Sequence, residues 1–145
     1  MKIEIKISQD LETILESQKI RNEVFVQEQG IPLELDLDSR DNISYHTLAY
    51  AGKQAVGVGR LALTDKNDAV LARIAVQKEF RSFGIASKIV KASLLQAEKL
   101  NISKVDIYPH EYLKGFYESF GFIYIEESEV VGNHQLIKME KILRN

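Results

Sequence analysis

Arg81, Gly84 and Ala86 stand in the run Arg81-Ser82-Phe83-Gly84-Ile85-Ala86, between a stretch that reads as a strand and one that reads as a helix. Small residues leave backbone N–H groups unshielded at a helix N-terminus, and the arginine adds positive charge, so this run suits an anion, phosphate above all. Taken alone it is equally an ordinary strand-to-helix turn with a glycine for packing. The other reactive groups are scattered. Histidines stand at positions 46, 110 and 134 without a His-Glu-x-x-His pattern, so no metal site is expected. Asp36-x-Asp38-x-x-Asp41 has the start of a calcium loop but lacks its glycine and closing glutamate. Those acids are expected on a solvated edge, where they would draw in a cation. There is no cysteine, hence no thiol nucleophile, disulfide framework or cysteine metal site.

These groups need a scaffold. Ile3, Ile5 and Ile7 alternate with polar residues and form one face of a first strand. Ser8 or Asp10 caps the helix that follows. Its apolar stripe is Leu11, Ile14, Leu15 and Phe25, interrupted by Gln18, Arg21 and Asn22, and Gly30-Ile31-Pro32 ends it. Residues 33–41 alternate leucine with acid and predict an extended segment with one carboxylate-rich edge. Residues 46–50 and 55–63 predict two strands joined by a tight turn at Gly52-Lys53. A polar turn at 64–68 leads into a strand at 69–76. A helix from about 84 to 100 carries Ile85, Ile89, Val90, Leu94 and Ala97 on its inner face. Residues 104–108 form a short strand stopped by Pro109. Tyr112, Phe116 and Phe120 then share one face of a last helix closed by Gly121, and 122–125 and 135–142 are terminal strands.

The resulting order, β-α-(β-hairpin, β)-α-β-α-β-β, defines an α+β (mixed α/β) fold with no repeat, low-complexity tract or linker. At 145 residues, 45% hydrophobic and 28% charged, the chain suits one domain, 1–145, with a single core. A net charge of −2 speaks against nucleic-acid binding through bulk charge. No apolar run approaches the roughly 20 residues that span a bilayer, so no membrane partner is expected. Met1-Lys-Ile-Glu-Ile-Lys-Ile7 reads as a strand and not as a signal peptide. A cytoplasmic location is the expectation.

Three features together are more specific than any one. Arg81-x-x-Gly84-x-Ala86 after a strand, Phe116-Tyr117-x-x-x-Gly121-Phe122 about thirty-five residues downstream, and the element order resemble the GNAT superfamily of N-acetyltransferases over nearly the whole chain. Arg21-x-x-Val24-Phe25-Val26-x-Glu28-Gln29-x-x-Pro32, followed by Glu34, Asp36, Asp38 and His46, is similar to the ElaA/YjcF-like branch. The resemblance implies a twisted, mostly antiparallel sheet flanked by helices, with a coenzyme cleft between central strands. It implies acetyl-CoA as co-substrate and no metal. Ile74, Ala75 and Val76 would line the pantetheine arm, and Arg81, Ser82, Phe83, Gly84, Ile85 and Ala86 would surround the pyrophosphate. Ser82 stands where many relatives carry glycine; its size is tolerable and its hydroxyl suits phosphate. Tyr117 would be the general acid, since a phenol of pKa ~10 can protonate or hydrogen-bond a departing thiolate of pKa ~8.5.

The resemblance leaves the base open. An amine of pKa ~10.4 must lose a proton before attack. Some relatives use an acid on the strand before the pyrophosphate loop, but this strand carries Ala72 and Arg73, with Asp68 only at its start. Glu28 (as base or acceptor-site residue), His46 and His110 are the other candidates, with a water chain as the alternative; His134 has no supporting context. Arg73 either binds an anionic group of the acceptor or serves as an ion-pair partner. The implied function is transfer of acetyl from acetyl-CoA to a primary amine of a small molecule or peptide, by direct attack in a ternary complex. The absence of cysteine excludes an acetyl-cysteine intermediate. The alternatives are a non-catalytic module that senses or merely binds acetyl-CoA or CoA, and an interaction domain that binds neither. Exposed C-terminal strand edges would serve a homodimer.

Overall fold

Seven strands form one sheet in the order β1-β2-β3-β4-β5-β7-β6. They are β1 (Ile3–Ser8), β2 (Tyr45–Ala51), β3 (Gln54–Leu63), β4 (Asp68–Val76), β5 (Lys104–Ile107), β6 (Ile123–Val131) and β7 (His134–Ile142). The structure is a computed structural model and describes residues 1–144. Every neighbouring pair is antiparallel except β4 and β5, which run parallel. A parallel pair needs a crossover, and helix α3 (Ile85–Lys99) supplies it. The mixed α/β architecture expected from the element order is the one observed.

α3 comes close to the sheet because β3 has glycines beneath it. A Cβ on Gly59 would stand 2.7 Å from Cγ2 of Ile89, and one on Gly57 2.9 Å from its Cδ1. Ser93, on the same helix face, meets Thr47 of β2 through their hydroxyls at 2.9 Å. Val90, Leu94 and Ala97 join Leu61, Leu71, Val105, Ile107, Ile137 and Met139 in the main core. Across the sheet, α1 (Leu11–Arg21) begins at Asp10, whose carboxylate accepts from the N–H of Thr13 at 2.8 Å. It continues as a wider helical stretch, Asn22–Glu28, with i→i+5 hydrogen bonds. Ile20 and Val24 pack there on Leu48, Val58 and Ala75. No helix among the described residues is long and apolar enough to cross a membrane.

Three local expectations need correction. Leu11 and Leu15 are exposed; the inner face of α1 is Thr13, Ile14, Ser17, Ile20 and Arg21. Residues 33–41 are not extended: they form a helical turn, α2 (Leu33–Asp36), then a 3-10 turn at Asp41–Ile43. Their polarity is inverted, with Asp36 and Asp41 buried and Leu33, Leu35 and Leu37 facing out, because buried arginines claim the acids. Finally, the last helix is short, α4 (Lys114–Glu118), after a 3-10 turn at Glu111–Leu113. Tyr112 is therefore exposed and leaves the stripe, while Phe116, Tyr117, Phe120 and Phe122 pack edge to face.

Candidate functional site

β4 and β5 are paired only at Asp68–Lys104, Ala69–Val105 and Val70–Asp106. Beyond Val70, β4 runs on to Val76 without pairing to β5, so from Leu71 its backbone edge on that side has no strand partner. In the same stretch β4 carries a bulge. Ala72 pairs with Arg60 and Ala75 with Val58, so two residues, Arg73 and Ile74, oppose Gly59 alone. Arg73 takes φ +56° there, the left-handed region. Ile74 and Val76 are half-buried; Ala75 buries its methyl in the α1-side cluster and leaves only backbone on the side away from it.

From Val76 the chain turns through Lys78–Phe80 and Arg81 into α3. Ser82 (φ +72°) and Gly84 (φ +74°) are both left-handed, and no side chain caps the helix. The first-turn amides of α3 consequently lack helical acceptors; the first bond back to the cap is Lys88 N–H to the Gly84 carbonyl at 3.2 Å. Ile85 is buried with Val56 and Ile89, so it too offers only its backbone, whereas Ser82, Phe83 and Gly84 are exposed. Size was not the issue at Ser82: its backbone region favours glycine. A left-handed L-residue costs about 1–2 kcal/mol and glycine loses about 0.5–1 in unfolded-chain entropy. Ser82→Gly is thus expected to stabilise the fold by about 0.5–1 kcal/mol, read as a higher urea midpoint at unchanged slope. A lower midpoint would mean that the hydroxyl makes a contact worth more than the strain.

Arg81 is held on two sides. Its Nε donates to the Val76 carbonyl at 2.9 Å, and its two terminal nitrogens meet the Glu28 carboxylate at 2.6 and 2.7 Å. The hydrogen bonds from Arg81 lower the Glu28 pKa, and Glu28 raises that of Arg81. Gln77 adds a second strap, donating to Glu23 at 2.9 Å. A cleft of about 300 Å³ lies between these segments, walled by Glu23, Gln27, Glu28, Gln77 and Lys78 among others.

Tyr117 belongs to the same core cluster as Leu71, Ile107 and Met139 and is 7% exposed. Burial pushes its phenol up to about 12, so it stays protonated throughout the neutral range. His110 follows β5, bridged to Leu136 of β7. Its Nδ1 is buried without a hydrogen-bond partner among the described residues, and its ring meets His134 edge-on at 4.8 Å. Burial, then the neighbouring His134, depresses its pKa, which keeps the imidazole neutral. His46 is fully buried, and both its ring nitrogens are engaged, by Ser17 at 3.2 Å and the Asp41 carbonyl at 2.9 Å. No cluster of three or more metal-ligating side chains occurs among the described residues.

Missing from the sequence reading is a network of three arginines and three aspartates. Arg21, with no exposure, donates to Asp36 Oδ1 at 3.1 Å, the Asp36 carbonyl at 2.8 Å and Asp41 Oδ1 at 2.8 Å. Arg60 reaches Asp38 at 2.7 Å and Asp41 at 3.1 Å. Arg73 lies against Asp36 at 3.3 Å and Asp38 at 3.4 Å, so of its two readings the contacts are those of the ion-pair partner. Of the expected solvated edge, Asp36 and Asp41 are instead buried in an ionic seam, with Asp38 exposed at its rim. Burial raises Asp41, but hydrogen bonds from Arg21, Gln18 and Arg60 outweigh it and leave the carboxyl at about 2. The available signal was arginine recurring inside apolar runs, at 21 beside Ile20, at 60 within β3 and at 73 within β4.

Known proteins share this fold. The family model described as "Acetyltransferase (GNAT) domain" matches residues 8–143. Over 123 residues the chain is 32% identical to the uncharacterized N-acetyltransferase YjcF of Bacillus subtilis (strain 168), covering 85% of this chain and 87% of that one. An acyl-CoA N-acyltransferase from Pseudomonas aeruginosa shares the fold at a TM-score of 0.88 and 21% identity, covering 97% of this chain and 99% of the other. Escherichia coli ElaA does so at 0.84 and 23%, again covering 97% and 99%.

Proposed function

The chain belongs to the GNAT acetyltransferase family, and on that premise we propose that it transfers acetyl from acetyl-CoA to a primary amine of a small molecule or peptide. The main support is the coincidence, at one end of the sheet, of three features: the parting of β4 from β5, the uncapped N-terminus of α3, and buried Tyr117 in one core cluster with Leu71 and Ile107. The residues fit the coenzyme. Amides of residues 84–86 and the exposed Ser82 and Phe83 suit the pyrophosphate, with Arg81 adding charge. The backbone edge at Ile74, Ala75 and Val76, which β5 does not pair, suits the amide-bearing pantetheine arm. Acetyl-CoA, when bound, supplies the activated thioester.

The remaining roles belong to side chains. Tyr117, protonated by burial, donates to the sulfur as negative charge develops there. His110, neutral and with an unpartnered Nδ1, receives the proton that the amine must shed, directly or through water. Glu28 is a weaker base, since its carboxyl is held ionised and engaged by Arg81; its place in this reading is to fix Arg81 and border the acceptor side. Transfer proceeds in a ternary complex. A cytoplasmic location goes with the coenzyme, and a homodimer through the C-terminal strands with the exposed Ile123, Ile125 and Val130 on edge strand β6.

The test is thiol release from acetyl-CoA across polyamines, amino sugars, amino acids and peptides. Release with an amine supports the reading. Binding without release for any amine would favour the sensory or binding module, and no binding would remove both. With an active amine, kcat/KM is expected to rise with pH through an inflection below the usual ~6.5 of histidine, as His110 loses its proton. His110→Gln should abolish that inflection and lower the rate at pH 7 about a hundredfold. An unchanged profile would assign the proton to water or another group.

A further inference from the structure

A second cavity lies at the start of α1, at the far end of the helical run that finishes at Glu28. Its volume is about 180 Å³, and it shares no lining residue with the cleft walled by Glu23 and Lys78. A single water needs about 10–15 Å³ of such space, so a molecule of several heavy atoms fits. α1 forms one wall through Glu12, Thr13 and Glu16. The sheet forms the other, through Lys6 of β1, Tyr50 of β2 and Lys53 of the turn between β2 and β3.

Local structure explains the arrangement. Glu12 and Glu16 stand one helical turn apart and share a face, where like charges repel. Ile3 and Ile5 of β1 pack toward Ile85 and Ile89 of α3, so strand alternation puts Lys6 on the α1 side. Charges of both signs thus line one cavity, and they do not pair with each other. Among the described residues Glu12, Glu16 and Lys53 make no ion pair, and Lys6 reaches only Asp10, at 3.8 Å.

Thr13 adds an independent sign. It is 1% exposed, and its Oγ1 is buried without a hydrogen-bond partner among the described residues. A helical threonine can instead bond a carbonyl of the preceding turn. A buried hydroxyl left unpaired costs stability, and a bound polar group removes that cost.

We infer that this cavity is a binding site for a small zwitterion, a free α-amino acid. Its ammonium meets Glu12 and Glu16, its carboxylate meets Lys6 and Lys53, and the Thr13 hydroxyl pairs with one of these polar groups. An amine alone satisfies the helix wall and faces two lysines; a carboxylate alone satisfies the lysines and faces two glutamates. Only a molecule with both charges suits both walls. The site stands apart from the acetyl-CoA reading, because it uses none of the residues assigned to that reaction.

The test uses the whole chain without coenzyme, with L-alanine as probe and backbone amide chemical shifts as readout. Propionate, which lacks the ammonium, and 2-aminopropanol, which lacks the carboxylate, are the controls. L-Alanine should shift the amides of residues 12–16 and 50–53 saturably, with a Kd in the millimolar range or below. Both controls should bind at least about tenfold more weakly, and added salt should weaken L-alanine binding. Glu16→Gln, Lys53→Gln and Thr13→Val should each weaken it about three- to tenfold. Lys53 sits on an exposed turn, so Lys53→Gln keeps the test readable if Thr13→Val does not fold. No saturable shift at about 50 mM L-alanine, which excludes a millimolar Kd, would overturn the inference. So would equal binding of either control, since only one wall would then be read. Shifts confined to Glu28, His110 and Tyr117 would place the amino acid on the acceptor side instead and overturn it as well.

Discussion

Tyr117→Phe is expected to lower kcat about a hundredfold to a thousandfold while leaving acetyl-CoA affinity within a factor of about two. The ring is 7% exposed and packs edge to face on Phe116 and Phe122, at centroid distances of 5.0 and 5.9 Å. Phenylalanine keeps both contacts, so the change isolates the hydroxyl. Because burial lifts the phenol to about 12, the group stays protonated through the neutral range and well above it. Wild-type kcat should thus show no inflection attributable to Tyr117 below pH ~10. That raised value also refines the chemistry. In the proposed reaction, complete transfer from a phenol at about 12 to a thiolate near ~8.5 is uphill, so the hydroxyl would act mainly by hydrogen-bonding the sulfur while charge accumulates. The amine proton, taken up by His110 in that proposal, would balance the charge. Calorimetry for binding and stopped-flow thiol release for turnover separate the two effects. A folded Tyr117→Phe with wild-type turnover would sink the assignment.

The largest expected effect on stability is at Arg21. Arg21→Met should cost about 3–5 kcal/mol, because it leaves Asp36 and Asp41 buried without their principal partner. For a chain of this size that is a fall in Tm on the order of 10 °C, measurable by calorimetry. A loss below about 1 kcal/mol would mean the seam is solvated in solution. The same network sets the acid limb of stability. The Asp41 carboxyl is lowered from 3.8 to about 2 on folding, so its contribution is fully present above the unfolded value and is lost as pH falls through the folded one. The expected size is on the order of 2 kcal/mol, lost between about pH 5 and pH 1. In Arg21→Met this depression should shrink, so acid unfolding should begin at higher pH.

The turn at 81–86, the Asp10 cap and Gly121 at a left-handed position were legible in the sequence because each is written in adjacent residues. The seam was not, because its partners are 15 to 37 residues apart and its acids imitate a strand edge. Alternating leucine and acid carries the same period whichever set faces inward, and only the distant arginines decide. The left-handed φ of Ser82 and Arg73 was equally hidden, since neither residue type advertises it. Glu28 and Arg81 were singled out separately, 53 positions apart, and only folding joins them.

The inverted polarity of α2 has a dynamic corollary. Most surface segments that detach from a protein expose apolar groups, and denaturants sense that exposure as a steep dependence on concentration. Here the inward contacts are carboxylates on guanidinium groups, while Leu33, Leu35 and Leu37 already face water. Local opening of 33–38 would hydrate charge and uncover little new hydrocarbon. Hydrogen exchange of these amides should then depend weakly on urea and strongly on acid, opposite to that of the sheet beneath.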